Sequence, residues 1–138
     1  MGASPRLRET SVEIEVPFRH VDPMGIVWHG HYYAYMEEAR TRLLRGCGLD
    51  VGDLLGPRYF FFVIESKCRY IHPLHYGDRV RATAWLRDVK RRIHIAYELT
   101  NLTRARRAAR GYTMLATTDP ARNLLLETPD EIQRRLLG

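Results

Sequence analysis

A single change of hydrophobic period organises this chain. Tyr32, Met36, Ala39, Leu43 and Cys47 follow one another at steps of four, three, four and four residues, which places them along one side of a helix. The apolar residues before and after that stretch alternate instead. From Ser11 onward, Val12, Ile14 and Val16 interleave with Glu13 and Glu15, the pattern of a half-buried strand that Pro17 helps to end. Beyond the helix, strand-like stretches are predicted at approximately 60–71, 79–88, 92–102 and 108–118. In the second, Val80, Ala82, Ala84 and Leu86 alternate with Arg79, Arg81, Thr83 and Arg87; in the third, Ile93, Ile95, Tyr97 and Leu99 alternate with His94, Glu98 and Thr100. The breaks at Asp88–Arg91 and Thr103–Arg107 are short and polar, which predicts antiparallel hairpins. The order is therefore β-α-β-β-β-β, an α+β chain.

The ends of these elements are less evenly marked. Gly46 and Gly48 give the helix a natural stop, but no Ser, Thr, Asp or Asn stands immediately before it as a cap. A loop follows through Gly52, Gly56 and Pro57. Thr128-Pro129-Asp130-Glu131 resembles a capping box with Pro at the first helical position, so a short terminal helix is expected with Ile132 and Leu136 inward. Residues 1–9 are polar and irregular and are expected to form a loose start to a single domain spanning 1–138. One amphipathic helix cannot cover both faces of a five-stranded sheet, and the sheet has edges to protect. Pairing with a second copy would address the edges, so a homo-oligomer is expected.

Length and composition narrow the class. A chain of 138 residues buries roughly two-thirds of its surface on folding, enough for a core without disulfides. No apolar stretch follows the charges near the N-terminus, and no run approaches membrane-spanning length; a cytoplasmic protein without membrane insertion is expected. Cys47 and Cys68 lack the spacing of a metal or redox pair and read as buried free thiols. The net charge is +6, and all but two of the 22 basic residues are arginine. Such a surface suits a polyanion, either nucleic acid or the phosphates of a cofactor-like substrate, and charge alone does not choose between them.

The loop Asp22-Pro23-Met24-Gly25-Ile26-Val27-Trp28-His29, running into Tyr32 and on to Glu37-Glu38-Ala39-Arg40, resembles the signature of the 4-hydroxybenzoyl-CoA thioesterase family. More closely, it resembles the branch that includes the bacterial Tol–Pal-associated acyl-CoA thioesterases. A weaker resemblance covers roughly residues 10–137, including the Gly111–Asp119 segment; Val21 departs from it, standing where that family commonly has Thr or Cys. The resemblance implies a hotdog fold, in which a five-stranded antiparallel sheet wraps one long helix. It also implies sheet-to-sheet dimers with sites at their interface, often joined as homotetramers, and an acyl-CoA substrate. No cofactor is expected beyond the coenzyme A of the substrate itself.

Thioester hydrolysis suits such a loop. A thiol leaving group with a pKa of about 8.5 departs with little protonation, so one carboxylate and an oxyanion site can suffice. The resemblance puts Asp22 in the carboxylate role, as nucleophile or as general base for water. It puts the backbone N–H of His29 at the oxyanion site, where a helix start favours negative charge, with Gly25 letting the loop approach closely. The His29 side chain matches a His of the same branch, and could orient the thioester or assist proton transfer. Val27 and Tyr32 are the expected substrate contacts. Glu37 is the reserve catalytic carboxylate, since other hotdog enzymes use a carboxylate on the helix.

Plainer readings stand beside these. Asp22 alone would be a turn residue before Pro, and Glu37 would be a structural helix charge. His20, Asp22, His29 and His31 could suggest zinc, but their spacing fits no ligand motif, so no metal is expected. Tyr59-Phe60-Phe61-Phe62 would line an acyl pocket or simply be a strand with aromatics on both faces. The arginines near 87–92 and 104–110 would be solvated turn charges or contacts for coenzyme A phosphates. Ser4, Ser11 and Ser66 lie in no Gly-x-Ser-x-Gly context, which disfavours a serine hydrolase. The alternatives left are a hotdog hydratase or dehydratase and a non-catalytic acyl- or nucleic-acid-binding module; the latter lacks a recognised nucleic-acid motif.

Overall fold

The structure, a computed structural model, describes residues 5–50 and 58–138. Gly52, Gly56 and Pro57 of the expected loop lie outside the described residues. Strand β1 (Leu7–Glu15) leads through a 3-10 turn (Phe18–His20) into helix α1 (His31–Gly46); β2 (Phe60–Tyr70), β3 (Arg79–Asp88), β4 (Ile93–Asn101), β5 (Arg106–Thr118) and helix α2 (Asp130–Leu137) follow. The strands form one antiparallel sheet in the order β1-β3-β4-β5-β2. The two hairpins sit where the polar breaks predicted them. Strands β1 and β2, which flank α1 in sequence, end up at opposite edges.

The alternating residues all turn toward α1. Val80, Ala82, Ala84 and Leu86 of β3 and Ile93, Ile95 and Leu99 of β4 are fully buried. Each fully buried aliphatic side chain contributes ~1.5–3 kcal/mol from area removed from water. Helix α1 supplies Tyr32, Met36, Ala39 and Leu43 as its period predicted, and adds Tyr35 and Leu44 to the same buried face. It packs on β1, β3 and β4. Gly111 of β5 sits where a Cβ would lie 2.2 Å from the Lys67 carbonyl oxygen of β2, so only glycine lets those backbones pair so closely.

Two boundaries differ from expectation. β1 begins at Leu7, so the chain is ordered as strand before Ser11: Arg8, at φ 57 beside an irregularity in the β1–β3 register, donates through Nε to the Leu136 carbonyl at 2.9 Å. The capping box also does not form. Pro129 is the cap position of α2, which makes no side-chain cap bond. Among the described residues the buried Thr128 hydroxyl has no partner, and its backbone N–H is drawn to the Lys90 carbonyl at 2.8 Å. Ile132 and Leu136 are nonetheless fully buried, as the helical period required. Among the described residues no helix is long and apolar enough to cross a membrane.

Candidate active site

Asp22 stands at the mouth of a three-residue hairpin. Val21 and Val27 pair as an antiparallel bridge, Asp22 N–H donates to the Ile26 carbonyl at 2.9 Å, and Gly25 N–H returns to the Asp22 carbonyl at 2.9 Å. Pro23 supplies the fixed φ that the turn needs at its second position, and Gly25 takes φ 85, a left-handed conformation suited to glycine. A Cβ on Gly25 would meet nothing within 4 Å. Within this chain, then, the backbone angle is what calls for glycine here.

The Asp22 carboxylate serves this turn with one oxygen. Oδ1 accepts from Met24 N–H at 2.8 Å and, more weakly, from Ile26 N–H at 3.4 Å; Oδ2 has no hydrogen-bond partner among the described residues. The turn reading of Asp22 is thus correct as far as it goes, and still leaves a carboxylate oxygen uncommitted.

Two hydrogen bonds through Leu74 link the hairpin to the body. Val27 N–H donates to the Leu74 carbonyl at 2.8 Å, and Leu74 N–H donates to the Tyr32 hydroxyl at 3.1 Å. Burial pushes the Tyr32 hydroxyl's pKa up, so it stays protonated. Val27 and Tyr32 are each 3% exposed, so in one chain their side chains lie beneath the hairpin surface. Next along, Ile26 bridges His75.

The segment carrying Leu74 and His75 is itself pinned by Asp78, which the sequence reading did not single out. Asp78 Oδ2 accepts from His75 N–H at 2.9 Å, from the fully buried Asn101 amide at 2.8 Å and from Arg104 Nε at 3.3 Å. Burial pushes the Asp78 carboxyl up, but the hydrogen bonds from His75 and Asn101 and the Arg104 charge outweigh it and hold the group below the usual carboxylate range. The available signal was Gly77-Asp78 directly before a strand, with Gly77 at φ 81.

His29 begins the approach to α1. Its backbone N–H has no acceptor among the described residues, while its carbonyl accepts from the Tyr70 hydroxyl of β2 at 3.0 Å. Burial first, then Cys68 and neighbouring tyrosines, push Tyr70 up to about 12, so it remains a donor. The His29 side chain is exposed, with Trp28 and Tyr70 as ring neighbours. Helix α1 starts at Gly30 without a side-chain cap. A Cβ on Gly30 would lie 2.1 Å from the ring of Trp28, an exposed side chain that would have to turn aside.

The remaining candidates separate. His20 shares a hydrogen bond with the Tyr35 hydroxyl at 2.9 Å and stacks on His31 at 4.0 Å. Burial, then the His31 and Arg19 charges, lower its pKa, favouring neutral imidazole. Among the described residues no group of three or more His, Cys, Asp or Glu is placed to hold a metal. Glu37 points to solvent and pairs with Arg40 at 3.6 Å. Phe60, Phe61 and Phe62 line a pocket of about 270 Å³ with Thr118, Arg122 and Leu124, at the end of β2 opposite Tyr70. The two arginine stretches have mixed duties. Arg104 binds Asp78, Arg107 pairs with Glu98 at 3.0 Å, and Arg92 donates to the Leu125 carbonyl.

Residues 16–136 match the Thioesterase-like superfamily. The chain belongs to that superfamily. The superfamily includes putative acyl-CoA thioester hydrolases among the curated relatives of this chain. The putative acyl-CoA thioesterase YneP of Bacillus subtilis (strain 168) is 36% identical over 76 residues, 55% of this chain and 55% of that protein. The acyl-CoA thioester hydrolase YbgC of Escherichia coli O6:H1 is 31% identical over 65 residues, 47% of this chain and 48% of that protein. The chain's matches thus span about half the length of these two relatives. The hypothetical protein TT1821 from Thermus thermophilus superposes with a TM-score of 0.82 at 25% identity, over 94% of this chain and 99% of that one. The α+β hotdog architecture expected from the motif is the architecture found.

Proposed function

We propose that this superfamily member hydrolyses the thioester of an acyl-CoA to a free carboxylic acid and coenzyme A, with Asp22 as the catalytic carboxylate. The observation that carries this is the division of labour at Asp22: Oδ1 is tied into the turn while Oδ2 remains uncommitted. A carboxylate so oriented can attack the carbonyl or take a proton from water. The unpartnered N–H of His29 at the uncapped start of α1 supplies a donor for the oxygen that becomes negative. In this reading Gly25 sets the turn, and Val27 and Tyr32 support the site from beneath through Leu74. Glu37, exposed and paired with Arg40, has no part in it.

The working unit we infer is a pair of chains. Met24, Trp28 and Tyr70 around the hairpin are 82%, 51% and 44% exposed, an apolar rim without a cover. Among the described residues, nothing pairs with the outer edge of β2 beside them. A two-fold pairing of β2 edges is self-complementary and would bring the Phe60–Phe62 end of one chain toward the Tyr70 end of the other. That supplies the acyl pocket that a single chain keeps at the wrong end of the strand.

The test is thiol release from a panel of short, long and aromatic acyl-CoAs, comparing the native chain with Asp22→Asn. Loss of ~10²–10⁴-fold in turnover, with an unchanged melting curve, is expected. Undiminished hydrolysis by the variant would remove Asp22 from the mechanism. Absence of turnover across the whole panel by folded native protein would overturn the acyl-CoA hydrolase reading.

A further inference from the structure

The sheet face turned away from α1 carries a groove of about 600 Å³, and it is unlike an ordinary solvated surface in three respects. Its cations come from separate strands: Lys67 and Arg69 from β2, Arg87 from β3 and Arg110 from β5 all line it. Among the described residues none of these four forms an ion pair. The acids nearby are already taken, Glu98 by Arg107 at 3.0 Å and by Arg6 at 3.9 Å, and Glu65 by the Tyr112 hydroxyl.

Second, Arg69 and Arg110 are direct cross-strand partners, with Glu98, already paired to Arg107, on the other side of Arg110. Like charges placed opposite one another in an antiparallel pair destabilise the sheet, unless an anion lies between them. Planar guanidinium groups converging from adjacent strands are well suited to hold phosphate oxygens in pairs of hydrogen bonds.

Third, the neighbouring row across the sheet reads Lys67, Tyr112, Ala96, Trp85. Paired residues share a face, so Ala96 forms a low floor between two aromatic side chains. Their strands are two spacings apart, roughly 9–10 Å; the Arg6 guanidinium lies 3.8 Å over the Trp85 ring and His94 meets Tyr112 edge-on, so a base entering the row would share it with these two side chains. The row ends on the Lys67 ammonium, one row from the Arg69–Arg110 pair. Aromatic walls next to clustered phosphate-type donors match a base joined to phosphates.

We propose that this groove is a non-catalytic binding site for a nucleoside polyphosphate, with the phosphates on Arg69, Arg110 and Lys67 and the base between Tyr112 and Trp85. It lies on the sheet face opposite the one that packs on α1, and it does not depend on Asp22 or on the thioester reaction. The same face disfavours back-to-back packing of two copies, since each would present the same unpaired cations.

The experiment is calorimetric titration of the native chain with ADP, inorganic pyrophosphate and adenosine at constant salt, repeated on Arg69→Gln, Arg110→Gln, Tyr112→Leu and Asp22→Asn. ADP is expected to bind the native chain and Asp22→Asn equally. Arg69→Gln and Arg110→Gln should each weaken ADP and pyrophosphate by roughly tenfold or more. Tyr112→Leu should weaken ADP but leave pyrophosphate unchanged, and adenosine alone should bind poorly. Acyl-CoA turnover, if present, should persist in both arginine variants. The proposal is overturned by absence of ADP binding to folded protein, or by ADP binding that neither arginine variant alters. It is also overturned if a single-stranded oligodeoxythymidine binds at least tenfold tighter than ADP, which would assign the face to nucleic acid, or if removing either arginine drives assembly of larger oligomers without any nucleotide effect.

Discussion

At the β1 edge of the sheet, Arg8 reaches across to the last carbonyls of α2, and α1 packs over the strand. At the β2 edge, Phe62, Val63 and Ile64 stand 58%, 43% and 41% exposed, with no described element against their outer side. The first edge strand is backed by α1 and tied to α2 through Arg8. The second is an eleven-residue strand whose Phe60–Ile64 half is apolar, followed by Glu65, Lys67 and Arg69 and by a register irregularity between Val63 and Glu65; the apolar half is the stretch that favours pairing with another chain. Residues that close an edge within one chain should affect its intrinsic stability, whereas residues on the open edge should affect association.

The largest effect is expected in the core between the two edges, on the central strand β4. Leu99→Ala removes a fully buried side chain under α1 and should lower unfolding free energy by ~2–5 kcal/mol, measured by urea denaturation and independent of protein concentration. Close behind, Asp78→Ala strands the His75 N–H, the Asn101 amide and the Arg104 guanidinium, costing about 3 kcal/mol. It should also loosen the segment that anchors the Asp22 hairpin, so thioester turnover should fall even at temperatures where the variant is folded. Because the folded carboxyl titrates below its ordinary value of 3.8, its contribution is full above that pH and is lost as pH falls through the lower folded value. A melting-temperature profile of Asp78→Asn should therefore be flatter than the native one at the acid end.

Arg8→Ala should cost ~1 kcal/mol, the worth of a cation at a helix C-terminus, again without concentration dependence. Smallest in unfolding free energy is Ile64→Lys on the open edge: within ±0.5 kcal/mol for the chain itself, yet it should shift sedimentation toward monomer. If Ile64→Lys destabilised the chain as much as Leu99→Ala, the contrast between the edges would fail.

The same contrast explains what the sequence made legible. Alternation located β3, β4 and their hairpin nearly to the residue because one face of each is buried without interruption, and period is then the dominant signal. Tyr35 and Leu44 of α1 escaped because the helix is gripped over a wider arc than the single stripe through Tyr32 and Leu43 suggests. The failed cap at Thr128 shows a tertiary bond, to Lys90, overriding a local one. At the candidate site, Asp22, Gly25 and His29 were legible because turn and helix start are contiguous in sequence. Leu74, Asp78 and Tyr70 were not, because they reach the hairpin from the far side of β2, and no local spacing encodes that contact.

The chain has two tryptophans, and their surroundings make them distinguishable optical probes. Trp28 lies against Gly30 with His29 and His31 as ring neighbours at 5.0 and 5.4 Å, while Trp85 sits on the opposite sheet face beneath the Arg6 guanidinium at 3.8 Å. In Trp28→Phe the remaining emission belongs to Trp85 on the outer sheet face, and in Trp85→Phe it belongs to the hairpin. Occupancy of the two sites can then be followed separately, in one molecule and without an added dye.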